Sequence, residues 1–255
     1  MRYLEAGQGA PIVLLHAFPL SADQWLPQLT RPPAGYRLIA PDLRGFRGAG
    51  PAFEADLDAL TVDDYARDVV ELMAHLDVSS AAIAGLSFGG YVALALFRIA
   101  PARMTRLILA DARATADTAE GKAGRDRMLA LLGREGLAGV AHDMLSKLLG
   151  ETTRREQPDL EDVVRHMIES NDAGAVAAGI GAMRGRPDAT PTLPAIACPV
   201  TIICGEEDVV TPMADSEAMY RAISGSRLVR LPRAGHLSNL EAPVAFTAAL
   251  AAEPA

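Results

Sequence analysis

Ala81-Ala82-Ile83-Ala84-Gly85-Leu86-Ser87-Phe88-Gly89-Gly90-Tyr91-Val92-Ala93-Leu94-Ala95-Leu96-Phe97 is a long uncharged run, and its reading decides the architecture. It approaches membrane-span length, but Gly85, Ser87, Gly89 and Gly90 interrupt its middle. A strand, a sharp turn and a buried helix explain it better than a span. The turn Gly85-Leu86-Ser87-Phe88-Gly89 has the pattern G-x-S-x-G. A strand that turns abruptly into a helix forces its apex residue into strained backbone angles, and small flanking residues let the adjoining segments approach. Ser87 would then project above the sheet, with the positive end of the helix behind it. The competing reading is a glycine-rich turn carrying an inert serine.

Outward from this stretch, short apolar runs alternate with helical patterns, which implies a mostly parallel, doubly wound α/β sheet. The runs are 12–15, 36–40, 81–84, 107–110, 200–204 and 227–231. Thr61 to His75 places Val62, Tyr65, Val69, Leu72, Met73 and Leu76 on one helical face, and Phe88 to Ala100 reads as a helix buried on nearly every side. From about Arg113 to Pro191 there is no strand pattern, only amphipathic stripes such as Met128, Leu129, Leu131 and Leu132, or Val140, Met144, Leu145 and Leu148. These stripes read as packing faces. The organisation is thus a core of residues 1–112 and 191–255, with an all-helical lid at 113–190 over the carboxyl ends of the strands, where open α/β sheets keep their crevices. The glycine- and alanine-rich end of the lid, 172–186, is a candidate mobile segment.

The 255 residues carry 24 Lys and Arg against 32 Asp and Glu, a net charge of −8, which argues against nucleic acid or an anionic lipid surface as a partner. Cys198 and Cys204 are too far apart along an extended run to bridge, and read as buried free thiols suited to a reducing cytosol. The N-terminal residues show no basic region followed by an apolar stretch, so no leader is expected and the localisation reads as cytoplasmic. No His, Cys or carboxylate set has metal-ligand spacing, and no metal or cofactor is expected.

A serine hydroxyl is a weak nucleophile near neutral pH, so it needs a base and a third group to hold that base. After the run 200–204 comes Gly205-Glu206-Glu207-Asp208-Val209-Val210-Thr211-Pro212, and after 227–231 comes Ala234-Gly235-His236-Leu237. Ser, Asp and His thus follow one another in the chain, each just beyond a different strand. Asp208 is the preferred acid by its offset from the strand and from the helix start at Thr211-Pro212. Glu206 and Glu207 compete closely with it, and Asp111 more distantly. His75, His142 and His166 read as structural, while His16 stands apart at the end of a strand beside the presumed turn.

The sequence resembles the α/β-hydrolase fold superfamily over essentially its whole length, and looks most like its lid-bearing branch of carboxylesterases, enol-lactonases and pimeloyl-carrier-protein methyl ester esterase. The resemblance rests on His16-Ala17-Phe18-Pro19, Pro41-Asp42-Leu43-Arg44-Gly45, Gly85-Leu86-Ser87-Phe88-Gly89-Gly90, Gly205 to Pro212, and Gly235-His236 followed by Glu241, Pro243 and Phe246. It implies Ser87 as nucleophile, His236 as general base and then acid, and Asp208 as its orienter. The backbone NH groups of Phe18 and Phe88 would form the oxyanion hole, and Asp42 and Arg44 would fix a loop. Three departures stand out. Ala17 occupies a position where the family has Gly, the loop Gly45 to Gly50 lacks the usual pattern, and the first antiparallel edge strand is expected to be absent or shortened.

The expected activity is hydrolysis of carboxylic esters of small to medium acyl groups through an acyl-enzyme, with Phe18, Leu86 and Phe88 lining the substrate pocket. The partner is a small-molecule ester, with no membrane, and the oligomeric state is left open. The alternatives are an enol-lactonase or C–C bond hydrolase on the same three residues, or a non-enzymatic ligand receptor that retains the pocket. A lactonase acting on a carboxylate-bearing ring would need a cation, and Arg125, Arg127, Arg134, Arg154 and Arg184 are candidate suppliers.

Overall fold

The computed structural model describes residues 1–48 and 60–252. Among them, strands and helices follow in the order β1 (Tyr3–Gly7), β2 (Ala10–Leu15), α1 (Leu26–Thr30), β3 (Tyr36–Pro41), α2 (Val62–His75), β4 (Ala81–Leu86), α3 (Phe88–Ile99) and β5 (Met104–Ala110). There follow α4 (Ala119–Leu148), α5 (Glu151–Glu156), α6 (Asp159–Glu169), α7 (Ala173–Gly185), β6 (Val200–Gly205), α8 (Met213–Ala222), β7 (Arg227–Leu231), α9 (Ser238–Glu241) and α10 (Pro243–Ala251). The strands form one sheet in the order β1-β3-β2-β4-β5-β6-β7. Every neighbouring pair is parallel except β1 with β3, which is antiparallel. The sequence pattern missed β1, because its five residues are only partly buried and lack an apolar run. An antiparallel edge strand of five residues is therefore present.

β4 sits at the centre of the sheet and is buried along its whole length. Ala81, Ala82, Ala84 and Gly85 give it little bulk, which lets α3 lie close above it. The chain passes from β2 outward to β3 and then back across to β4, so strand order reverses between β2 and β4. Crevices in open α/β sheets form at that reversal, outside the carboxyl ends of the strands. Phe18 leaves β2 and Ser87 leaves β4 at this point.

Two glycines make the β4–α3 junction possible. A β-carbon on Gly85 would lie 2.2 Å from the Gly89 carbonyl oxygen, and one on Gly89 would lie 2.1 Å from the Leu15 carbonyl oxygen. The turn is thus closed against its own helix on one side and against β2 on the other. α2 then packs against α3, starting at Thr61, whose side chain and that of Asp64 form a capping box.

Between β5 and β6 the described chain is helical, with α4 broken at Gly136, where φ is 66°. The segment expected to be mobile, 172–186, contains the helix α7, and its small residues have a packing reason. Gly179 presses on two aromatic rings, since a β-carbon there would meet Phe18 at 3.1 Å and Phe46 at 3.2 Å. Asp42 is buried, accepts from Ala22 N at 2.8 Å and pairs with Arg2, while Arg44 forms a two-bond pair with Asp68. Both match the loop-fixing roles the resemblance implied. Ala49 and Gly50 of the divergent loop lie outside the described residues.

Replacing Gly89 with Ala is expected to cost about 3 kcal/mol or more, because the obstacle is backbone that cannot rotate away. Gly133, exposed in α4 with nothing within 4 Å of an added β-carbon, is expected to gain about 0.4–1 kcal/mol from the same change. Urea unfolding of the two variants checks both signs.

Candidate active site

Ser87 has φ 53° and ψ −111°, a left-handed conformation that a side chain adopts only when its surroundings hold it there. Its N–H donates to the Ala110 carbonyl at 2.9 Å, and its own carbonyl accepts from Gly90 and Tyr91 in the first turn of α3. The backbone is pinned on both sides, and the hydroxyl is left to point away from the sheet. Ser87 Oγ lies 2.8 Å from His236 Nε2, and His236 Nδ1 lies 2.9 Å from Asp208 Oδ2. All three residues are buried. In this arrangement the imidazole proton sits on Nδ1 and points at the carboxylate, which leaves Nε2 free to accept from the serine.

Asp208 is further bound by the loop that carries it. Its Oδ1 accepts from the amides of Val210 at 2.7 Å and Thr211 at 3.0 Å, and its Oδ2 accepts from the Thr211 hydroxyl at 2.6 Å. Burial alone would raise its pKa, but His236 beside it and the Thr211 bonds prevail and hold the carboxyl below its ordinary range. It stays ionised beside the imidazole.

Two amides complete the geometry. Phe88 is the first residue of α3, where an N–H has no carbonyl of its own helix to bind. Phe18 follows the end of β2, and among the described residues neither amide has a hydrogen-bond partner. The methyl group of Ala17, where the family has Gly, does not disturb this loop. Its backbone lies outside the left-handed region, and its N–H donates to Gln24 Oε1 at 2.8 Å.

The sequence matches the family described as "Alpha/beta hydrolase family" over residues 12–250. The chain belongs to that family. The hydrolase is 27% identical over 254 residues to 3-oxoadipate enol-lactonase 2 of Acinetobacter baylyi, covering 99% of this chain and 92% of the relative. Among solved structures, a thermophilic esterase from Thermogutta terrifontis, determined with malate bound, superposes with a TM-score of 0.91 at 37% identity, covering 98% of this chain and 90% of that one. An enol-lactonase from Burkholderia xenovorans LB400 gives 0.88 at 26% identity, covering 98% and 94%.

In the hydrolase, a cavity of about 240 Å³ opens beside Ser87 and His236. Its apolar wall includes Phe18, Met128, Met144, Leu148, Met183 and Val210. Leu86 and Phe88, expected to line the pocket, do not. Leu86 is fully buried at the end of β4, and the Phe88 ring packs edge-on against Tyr65 and beside Phe46. Helix α3 turns the Phe88 side chain into the core while leaving its amide at the turn. Conversely, Met128 and Met144 come from stripes that read as pure packing faces, and a flexible thioether suits a wall that must adapt to a ligand.

The rival acids have other duties. Glu207 accepts from the Thr152 amide at 2.8 Å and hydroxyl at 2.5 Å, fastening the loop of Asp208 to α5, and those bonds hold its pKa low. Asp111 is fully buried, accepts from Gly205 N at 2.8 Å and is bonded to Ser238 Oγ. Burial first, and the charge of Asp208 second, push its carboxyl well above the ordinary range. Glu241 entered the sequence reading only as part of the resemblance, with no role assigned, yet its buried carboxylate accepts from Gly150, Gly235 and Leu237, clasping His236 from both flanks. His16 is neutral and satisfied. Its Nδ1 donates to Ala17 O at 2.9 Å, its Nε2 accepts from Leu43 N at 3.0 Å, and burial lowers its pKa to about 4.

Asp111, Cys204 and Asp208 bring three ligand-type atoms within 4.8 Å of one another. The cluster fits a metal poorly, because the carboxylate oxygens are engaged as described and burial pushes the Cys204 thiol up to about 12. Both cysteines are free, but Cys198 is only partly buried, where full burial was expected. Among the described residues no helix is long and apolar enough to cross a membrane.

Asp111 generates a pH prediction. The unfolded chain loses this proton near 3.8 while the folded chain keeps it, so folding stability falls as pH rises from that value toward the raised one. An amide at this position would keep the acceptor for Gly205, offer an N–H to Ser238 and tolerate the positive φ. Asp111→Asn is therefore expected to raise the thermal midpoint relative to wild type by more at about pH 8 than at about pH 4, measured by thermal unfolding at both values.

Proposed function

We propose that the protein is a serine carboxylic ester hydrolase working through an acyl-enzyme. Ser87 is the nucleophile, His236 the general base and then acid, and Asp208 the group that holds the imidazole and balances its charge. The observation that carries this reading is the unbroken hydrogen-bond chain from Ser87 Oγ through His236 to Asp208, at 2.8 Å and 2.9 Å. As Ser87 Oγ attacks the ester carbonyl, its proton passes to His236 Nε2. The carbonyl oxygen gathers negative charge between the amides of Phe18 and Phe88. Such preformed donors act where charge develops, and losing one typically costs about 3–4 kcal/mol of barrier.

His236 then gives its proton to the departing alcohol, and the acyl group remains on Ser87. Water, deprotonated by the same imidazole, attacks the acyl carbonyl and releases the acid. Residues 113–190 act as a lid, because Met128, Met144, Leu148 and Met183 roof the cavity. At about 240 Å³ the cavity falls below the ~300–1,000 Å³ of typical ligand pockets. Small to medium acyl groups fit that size. The reading includes action on small molecules in the cytoplasm.

A lactonase using the same three residues is a second reading. The similarity to two enol-lactonases favours it, as does the cation that the cavity wall presents.

A p-nitrophenyl acetate to octanoate series is expected to peak at short chains. Ser87→Ala is expected to lower kcat about a millionfold, and Asp208→Asn about 10⁴-fold. Glu207→Gln is expected to lose far less. Steady-state kinetics of the three variants separate the acids, and abolition of turnover by Glu207→Gln alone would contradict the assignment.

A further inference from the structure

Behind the reactive serine, the cavity wall is charged. Arg113, Asp117 and Arg125 line it together with Ser87 and His236. Asp117 is the hub of this wall. Its Oδ2 accepts from Arg125 Nε at 3.0 Å and its Oδ1 from Arg186 Nη1 at 2.8 Å. Burial would raise the Asp117 pKa, but the two guanidinium groups overcome it and hold the carboxyl low, so it is ionised.

Arg186 is committed. It is buried, donates also to the carbonyls of Met183 and Thr115, and lies over the Tyr91 ring at 4.2 Å. Arg113 is largely committed too, donating to the Val210 carbonyl in the loop of Asp208 and standing 3.4 Å from Asp215. Arg125 is different. It spends only Nε on Asp117, and among the described residues neither of its terminal nitrogens has a partner. Among the residues that line the cavity, the guanidinium groups of Arg113 and Arg125 outnumber the single carboxylate of Asp117. The other candidate cations are elsewhere. Arg127, Arg134 and Arg184 pair on the surface with Glu120, Glu135 and Asp126, and Arg154 is absent from the cavity wall.

We infer that Arg125 is a specificity-determining residue that binds a carboxylate on the substrate, so that the site takes esters or lactones bearing a second, ionised carboxyl group. The inference rests on the ester hydrolase reading and names its substrate class. Asp117 fixes the guanidinium through Nε, which leaves the two terminal nitrogens of this cavity-lining residue as an unspent planar fork. That fork matches a carboxylate with two parallel N–H bonds. Much of the remaining wall is thioethers, the rings of Phe18 and Tyr91 and aliphatic groups, so water competes less there than in bulk. A cavity of about 240 Å³ favours half-esters of small dicarboxylic acids, with the uncharged ester at Ser87 and the free carboxylate at Arg125.

The test compares kcat/KM for monomethyl adipate with that for methyl hexanoate, a neutral ester of matched acyl length. Wild type is expected to favour the half-ester, and Arg125→Met to lower that ratio about ten- to a hundredfold, chiefly through KM. Arg125→Lys is expected to recover part of it. Arg127→Met, two positions along the same helix and paired with Glu120 at the surface, is expected to leave the ratio as it was. A second arm measures adipate binding by calorimetry to Ser87→Ala, with and without Arg125→Met.

A wild-type ratio near one, a ratio that survives Arg125→Met, or a ratio lost equally in Arg127→Met overturns the inference. Adipate that binds equally with and without Arg125 does the same. Failure to turn over either ester, with adipate binding still dependent on Arg125, overturns the hydrolase reading and leaves the carboxylate site standing.

Discussion

The strained backbone of Ser87 is the constraint on which the rest of the structure depends. A residue at φ 53° and ψ −111° carries a cost on the order of 1–3 kcal/mol, which must be offset by packing around it. Here the offset comes from both sides. β5 contributes the Ala110 carbonyl, which accepts from the Ser87 amide, and α3 contributes two amides that donate to the Ser87 carbonyl. Gly85 and Gly89 permit contacts to backbone oxygen that any side chain would block. The strain leaves a hydroxyl at the lip of the crevice and an orphan amide one residue later.

A second set of interactions brings the remaining groups to that hydroxyl. Glu241 binds the amides on both sides of His236, at Gly235 and Leu237, and also that of Gly150 at the end of the α4 segment. A β-carbon on Gly235 would strike Gly150 N at 2.3 Å, so the histidine loop and the helical segment meet backbone to backbone. Asn239 accepts from Gln24 and donates to Gln28, and Gln24 in turn accepts from the Ala17 amide. A buried amide network thus links the loop of Phe18 to the helix just after His236. Fully satisfied networks of this kind are costly to break and favour one arrangement. The acid loop is tied in the same manner, through Glu207 to Thr152 and through Asp111 to Gly205.

The sequence made the skeleton of this legible, because each feature is local. G-x-S-x-G between an apolar run and a helix pattern locates Ser87, and the runs before Asp208 and His236 locate two more strand ends. β1 was not legible, since its partly buried residues carry no strong pattern, and its place is set by pairing with β3. The pocket was legible only in part. Phe18 was expected and does line it, but Phe88 turns inward with the helix, and Met128 and Met144 line the cavity from two stripes that read as packing faces. Arg125 was one of five candidate cations with nothing in the spacing to distinguish it. Its position depends on a partner eight residues earlier, Asp117, and on how α4 lies over the strand ends. Glu241, Gln24, Gln28 and Asn239 gave no periodic signal, because a buried hydrogen-bond network is a property of the folded arrangement.

The central claim is that His236 makes the Ser87 hydroxyl reactive, and covalent labelling tests it most directly. A fluorophosphonate should add once per chain to wild-type protein, with the adduct mapping to Ser87 by peptide mass. His236→Gln should slow that labelling by about a thousandfold or more. Adducts at other residues, or equal labelling rates in the two proteins, would contradict the account.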